Sequence, residues 1–176
     1  MRTLAIPALF GLALLSIAFV TRSGWFARKH PGEPINSAMR EAMDEQLLPP
    51  ADAAIVAQRY PTATIMPSGI RYVVDQPGTG DETPERGQWV KVHYRAWFLD
   101  GTPFDNSYDS GAGPFNFQLG LGRVIAGWDE VIPTMHRGEK RTVIIPYWRA
   151  YGDRGIRGKI PAKATLVFDL ELIDFR

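Results

Sequence analysis

The chain has 176 residues, enough for one domain with an appendage. It carries 20 Lys and Arg against 19 Asp and Glu, a formal net charge of +1, so no global basic field points to nucleic acid. It has no cysteine, which excludes disulfides, thiol catalysis and a Cys-anchored lipid, and its histidines (His30, His93, His136) lack metal-ligand spacing.

Residues 1–21 read as a membrane anchor or signal segment. Between Arg2 and the group Arg22, Arg28 and Lys29 runs an uncharged stretch, Thr3 to Val20, rich in Leu, Ala, Ile and Phe. As a helix, residues 3–20 would span about 27 Å, just enough for a bilayer. Ser16 and Ala18 offer the small residues of a cleavage site, but Phe19 and Val20 continue the apolar run, which favours a retained anchor over a cleaved signal. The expected location is therefore a membrane surface or the periplasmic, extracytoplasmic space. The slight Lys/Arg excess after the segment pulls the other way on the positive-inside rule.

Residues 22–65 read as a stalk or linker. Pro31, Pro34, Pro49, Pro50 and Pro61 punctuate it, with two short helical patterns between them. The first follows an N-cap at Asn36-Ser37 and runs through Met39, Met43, Leu47 and Leu48; the second covers about 51–60.

From residue 66 the pattern turns to strands. One is expected over Ile70–Val74, followed by the turn cluster Pro77–Gly80. Over Trp89–Phe98, Val90, Val92, Tyr94, Ala96 and Phe98 alternate with Lys91, His93 and Arg95. Asp100-Gly101 signals a turn. A short strand spans Pro114–Leu119. Val124, Ile125, Trp128, Val131, Ile132 and Met135 keep helical spacing, with Pro133 placed to end or bend the helix. Strands follow over Lys140–Pro146 and Ala164–Phe175. One short helix among several strands predicts an α+β fold, an antiparallel sheet with the helix on one face.

No Ser/His/Asp signature, phosphate loop or metal cluster is present in the sequence. The distinctive feature is an aromatic series: Tyr94, Phe104, Phe115, Trp128, Tyr151 and Phe168. Composition leaves two readings open, an ordinary core or a ring-lined hollow with polar groups at its rim.

Four separated stretches decide between them: Val92-His93-Tyr94 followed by Leu99–Ser107, then Gly122–Asp129, then Ala150-Tyr151-Gly152, then Ile160-Pro161 with Ala164–Asp169. Together they resemble the FKBP family of peptidyl-prolyl cis/trans isomerases, in order and near-family spacing over residues 66–176. The lead-in Pro67–Tyr72 through Gly80 is similar to that of bacterial, exported or membrane-anchored members. The resemblance implies a half-barrel sheet wrapped around the helix. It implies pocket walls of Tyr94, Phe104, Phe115, Val124, Ile125 and Phe168, with Ile160 also on the substrate side and Trp128 as floor. Asp105 and Tyr151 are the implied polar groups, acting with Trp128 in catalysis, and the Ile125 N–H would hold a substrate carbonyl. The implied partners are proline-containing polypeptides, with macrolides as inhibitors of the same pocket; no cofactor or metal is implied.

Two departures stand out. Arg95-Ala96 replaces the family's usual Thr-Gly, and the loop Tyr108–Gly113 leaves the partner of Asp105 unassigned. The flap after Tyr151 carries Arg154, Arg157 and Lys159, the last where an apolar residue is common; this basic flap is expected to disfavour cationic residues beside the target proline. Three functions are thereby framed: an isomerase that assists folding, a non-catalytic peptide-binding or chaperone module on the same fold, and an adaptor acting through residues 24–67.

Overall fold

The computed structural model describes residues 48–109, 111 and 113–176. The expected apolar helix and the first stalk helix lie outside these residues. Among the described residues no helix is long and apolar enough to cross a membrane.

Seven strands form one antiparallel sheet: β1 (Thr64–Ile65), β2 (Arg71–Gln76), β3 (Trp89–Phe98), β4 (Pro103–Asn106), β5 (Phe115–Gln118), β6 (Lys140–Ile145) and β7 (Leu166–Phe175). Their order is β1-β2-β6-β7-β3-β4, and β5 also pairs with β3. Both partners take the same edge of β3: β5 pairs with Trp89–Val92 and β4 with Arg95–Trp97. The two long strands β3 and β7 form the central pair, and a register shift between Lys91 and Val92 interrupts it. Period-two patterning explains the layout. Val90, Val92 and Ala96 of β3 and Leu166, Phe168, Leu170 and Leu172 of β7 all enter one core.

That core is closed by α2 (Ala126–Val131), which continues as a 3-10 turn over Ile132–Thr134. Pro133 falls within that turn, as its position in the periodic pattern predicts. Trp128, Val131, Ile132 and Met135 face the sheet and are buried. The helix approaches closely because residue 127 is glycine: a Cβ there would lie 2.6 Å from Ile145 Cγ2.

The expected linker over 22–65 is not a linker along its whole length. Helix α1 (Pro50–Arg59) docks on the other face of the sheet, where Val56, Leu48, Leu99, Ile144 and Val167 form a second buried cluster. Thr165 Oγ1 donates to Asp52 Oδ2 at 2.7 Å, and Arg59 donates to the Leu99 carbonyl. The strand β1 pairs with β2. Residues 48–65 therefore belong with the sheet rather than with a stalk ending at residue 65. The apolar end of the outer face, Trp97, Ile144 and Val167, supplies the reason, since uncovered it would leave large side chains in water.

Candidate functional site

The helix and the sheet leave a cavity of about 170 Å³ between them, lined by Tyr94, Phe104, Asp105, Phe115, Arg123, Val124, Ile125, Trp128, Tyr151 and Phe168. Tyr94 comes from β3, Phe104 and Asp105 from β4, Phe115 from β5 and Phe168 from β7. Trp128, 5% exposed, rises from α2 to form the floor. The rings meet edge to face. Tyr94 and Trp128 have centroids 5.0 Å apart at 72°, and Trp128 and Phe168 5.5 Å apart at 81°. Phe104 meets Phe168 at 6.1 Å and 85°, and Phe115 meets Trp128 at 6.2 Å and 72°. Such pairs are favourable in themselves and hold each ring's angle. The cavity is smaller than the roughly 300–1,000 Å³ of drug-sized ligand sites and suits one compact side chain.

Nine of the ten residues expected at the site line this cavity. The exception is Ile160. It is 4% exposed and belongs to the core, where its backbone pairs with Ile156 across the base of the flap. It packs in the core cluster with Trp128 and Phe168 and does not line the cavity. Phe115 and Tyr151, by contrast, are 42% and 38% exposed, so they stand at the cavity's mouth.

The polar groups are concentrated at that mouth. Burial and the neighbouring Asp105 carboxylate, which accepts a hydrogen bond from the Tyr94 hydroxyl, push the Tyr94 phenol up to about 12. Tyr94 is therefore a neutral donor at physiological pH. Burial also raises the Tyr151 phenol; Lys159 acts against that rise and Asp105 adds to it. The ionic partner of Asp105 comes from the flap: Lys159 Nζ donates to Asp105 Oδ2 at 3.0 Å. The sequence marks Lys159 as unusual, but its contact spans 54 residues and no local pattern encodes it.

Two supporting contacts escape sequence reading. Asp129, in the first turn of α2, accepts from the Gly120 N–H at 2.8 Å and the Gly122 N–H at 3.0 Å. It thereby fixes the loop that delivers Arg123, Val124 and Ile125. Ser107 accepts from the Tyr94 N–H at 2.8 Å and lies 3.0 Å from His93 Nδ1, tying the end of β4 to β3 beside Asp105. An acidic residue inside a helix's first turn was the available signal for Asp129; Ser107 offered none. His93 itself stacks on Tyr108 at 4.2 Å, away from the cavity.

A larger cleft of about 470 Å³ lies on the sheet's other face, lined by Asp75, Arg95, Lys140, Arg141, Asp169 and Glu171 among others. Lys140 pairs there with Glu171, Thr142 donates to Asp75 and Asp169, and Tyr108 is its one aromatic lining residue among those described. Among the described residues no group of three or more His, Cys, Asp or Glu could hold a metal ion.

Fold and cavity together define a class: an antiparallel sheet packed on a short helix, holding an apolar, ring-walled receptor with hydrogen-bonding groups at its mouth. The model of the FKBP-type peptidyl-prolyl cis-trans isomerase family matches residues 80–173. The FK506-binding protein 2 of Debaryomyces hansenii is 56% identical over 88 residues, 50% of this chain and 64% of that protein. The peptidyl-prolyl cis-trans isomerase FPR2 of Saccharomyces cerevisiae is 53% identical over 91 residues, 51% of this chain and 67% of that protein. The crystal structure of AtFKBP13 superposes with a TM-score of 0.60 at 39% identity, covering 65% of this chain and 98% of that one. The chain belongs to the FKBP-type peptidyl-prolyl cis-trans isomerase family.

Proposed function

We propose that the cavity accelerates rotation about Xaa-Pro bonds in client polypeptides and so assists their folding. The observation that carries this reading is the enclosure of a side-chain-sized space by four aromatic walls and the Trp128 floor, with Asp105 and Tyr151 at its mouth. Amide resonance sets a rotation barrier of about 18–20 kcal/mol. For Xaa-Pro the two isomers are close in energy, but their interchange takes tens to hundreds of seconds. The reaction makes and breaks no bond, so the pocket needs only to favour the twisted amide over the planar one. Twisting removes conjugation and makes the carbonyl less dipolar. An apolar site penalises the planar, more dipolar form more. The prolyl ring would sit over Trp128, with the Ile125 N–H and the Tyr151 hydroxyl fixing the peptide on either side. Each 1.4 kcal/mol of such preference gives about tenfold in rate. The same apolar receptor suits macrolides.

The test is a cis/trans isomerisation assay of the purified full chain on a short Leu-Pro peptide. A rate well above the thermal background is expected, reduced about tenfold or more in Asp105→Ala and Tyr151→Phe. Folded protein giving only the background rate would refute catalysis and leave a peptide-binding module.

For location, the apolar run 3–20 supports retention at a membrane, and the lead-in at 67–80 supports a place among bacterial, exported members. Carbonate extraction of membranes from expressing cells checks it; the full chain should stay in the pellet, and a chain lacking residues 1–21 should be released.

A further inference from the structure

The charges around the cavity mouth do not balance. Among the described residues Asp105 is the only carboxylate lining it, and Lys159 neutralises Asp105 through the 3.0 Å contact. Arg123, which also lines the cavity and is exposed, forms no ion pair among the described residues. Its loop is not free to swing away, because Asp129 holds the N–H groups of Gly120 and Gly122. Asp129 spends both carboxylate oxygens on that task. Beyond Lys159 the flap adds Arg154 and Arg157, both exposed, while its acidic residue, Asp153, pairs with Lys163 at 3.5 Å. Asp109 lies with Asp105 and Arg95 in a separate cleft behind β4. The mouth is thus left with a net positive charge on a fixed support.

We propose that this mouth selects Xaa-Pro segments with an acidic side chain next to the proline, Arg123 attracting it and Lys159 cancelling the opposing charge of Asp105. The proposal rests on the isomerase reading and names its substrate class. Lys159 has a double effect. Its ammonium removes the carboxylate that would attract a cationic residue, and it ties the flap to β4 across the mouth. The flap can carry that tie because it is braced at its base. Gly155 has a φ of +61°, and a Cβ there would fall 2.2 Å from the Ile160 carbonyl oxygen. The chain therefore closes tightly under Lys159, and the backbone bridge Ile156–Ile160 holds it.

The experiment uses the full chain and three peptides of the form Ala-Xaa-Pro-Phe, with Xaa Glu, Gln or Lys. Isomerisation kcat/KM and peptide Kd by NMR titration are both read. The expected order is Glu, then Gln, then Lys, with a Glu-to-Lys ratio of roughly fivefold, the reach of an exposed charge pair. The ratio should fall toward one in about 0.5 M salt. Arg123→Gln should lower it, and Lys159→Ile, which uncovers Asp105, should lower or invert it. Equal rates and affinities for the three peptides, alongside clear catalysis of the Gln peptide, would overturn the charge selection and leave the isomerase reading intact. Binding graded by charge without any catalysis would overturn the isomerase reading and keep the selection as one of ligands.

Discussion

At the residue scale, the most consequential charged pair is outside the cavity. Glu139 and Arg141 are 3% and 5% exposed and pair with each other. Arg141 also donates to the Thr134 hydroxyl and carbonyl, each at 2.7 Å, and lies over the Tyr72 ring. Glu139 accepts from the His136 N–H at 2.8 Å. The pair therefore holds the turn that leads from the end of α2 into β6. Burial alone would push the Glu139 carboxyl up. The hydrogen bonds from Arg141 and His136, with the Arg141 charge, outweigh burial and hold it below its ordinary value. A carboxyl lowered in the folded state contributes stability above its unfolded pKa and loses it as pH falls through the folded one. Glu139→Gln is accordingly expected to cost about 3 kcal/mol at neutral pH, since it strands a buried guanidinium. The gap to wild type should narrow as pH falls below the ordinary 4.5. Urea denaturation across that range checks it; a gap independent of pH would mean that the carboxylate charge is not what holds the turn. At this same scale the cavity was largely legible. Tyr94, Phe104, Phe115, Trp128, Tyr151 and Phe168 sit in short local motifs, and each strand's period of two fixes which face its ring takes. Ile160, expected on the substrate side, packs in the core cluster with Trp128 and Phe168 without lining the cavity, and the Lys159 contact to Asp105 depends on how the flap folds back.

At the element scale, the cavity exists because α2 is both short and close. A six-residue helix has little hydrogen bonding of its own to hold it, so packing must fix it. Gly127 permits that packing: three atoms of the Ile145 side chain lie within 3.2 Å of where its Cβ would be. Ile145 is fully buried and has no space into which to retreat. Gly127→Ala should therefore push α2 away from β6, at a cost of about 1–3 kcal/mol. Trp128 would move with it, so the tryptophan fluorescence of the cavity floor and the isomerisation rate should change together with the melting temperature. A variant with normal stability and rate would show that the helix adjusts without moving its indole. The helix and the strands β2, β3, β5, β6 and β7 were legible from periodicity, down to Pro133 at the helix end. The four-residue β4, Pro-Phe-Asp-Asn, was not, since a single ring shows no alternation. The two-residue β1 was not, because two exposed residues carry no pattern. Nor was the docking of α1. Its only large apolar side chains are Ile55 and Val56, and a helix of that composition reads the same whether it is solvated or seated on a sheet.

At the scale of the whole molecule, α1 changes what counts as the domain. The sheet is covered on both faces, by α2 over the cavity and by α1 over the apolar end of the outer face. Val56 is 3% exposed, and Leu99, Ile144 and Val167 beneath it are buried too. The remaining outer face, with Asp75, Thr142, Asp169 and Glu171, is polar and needs no cover. A fragment starting at residue 64 keeps every cavity residue but strips this cover. Full burial of one Val or Leu side chain contributes about 1.5–3 kcal/mol, so uncovering three or four leaves several kcal/mol at stake even after discounting for partial exposure. The hydrogen bonds to Asp52 and from Arg59 are lost as well. The fragment 64–176 should therefore unfold at lower denaturant than 48–176 and should self-associate through Trp97, Ile144 and Val167. Because α1 contacts the far side of the sheet from the cavity, whatever fraction stays folded should retain the isomerisation rate per active molecule. Equilibrium unfolding and analytical ultracentrifugation of the two fragments, with rates normalised to folded protein, separate the effects. Equal stability would mean that α1 rests on the sheet without holding it. A lost rate in folded fragment would mean that the outer face communicates with the cavity through β3, β6 and β7, the strands whose side chains reach both clusters.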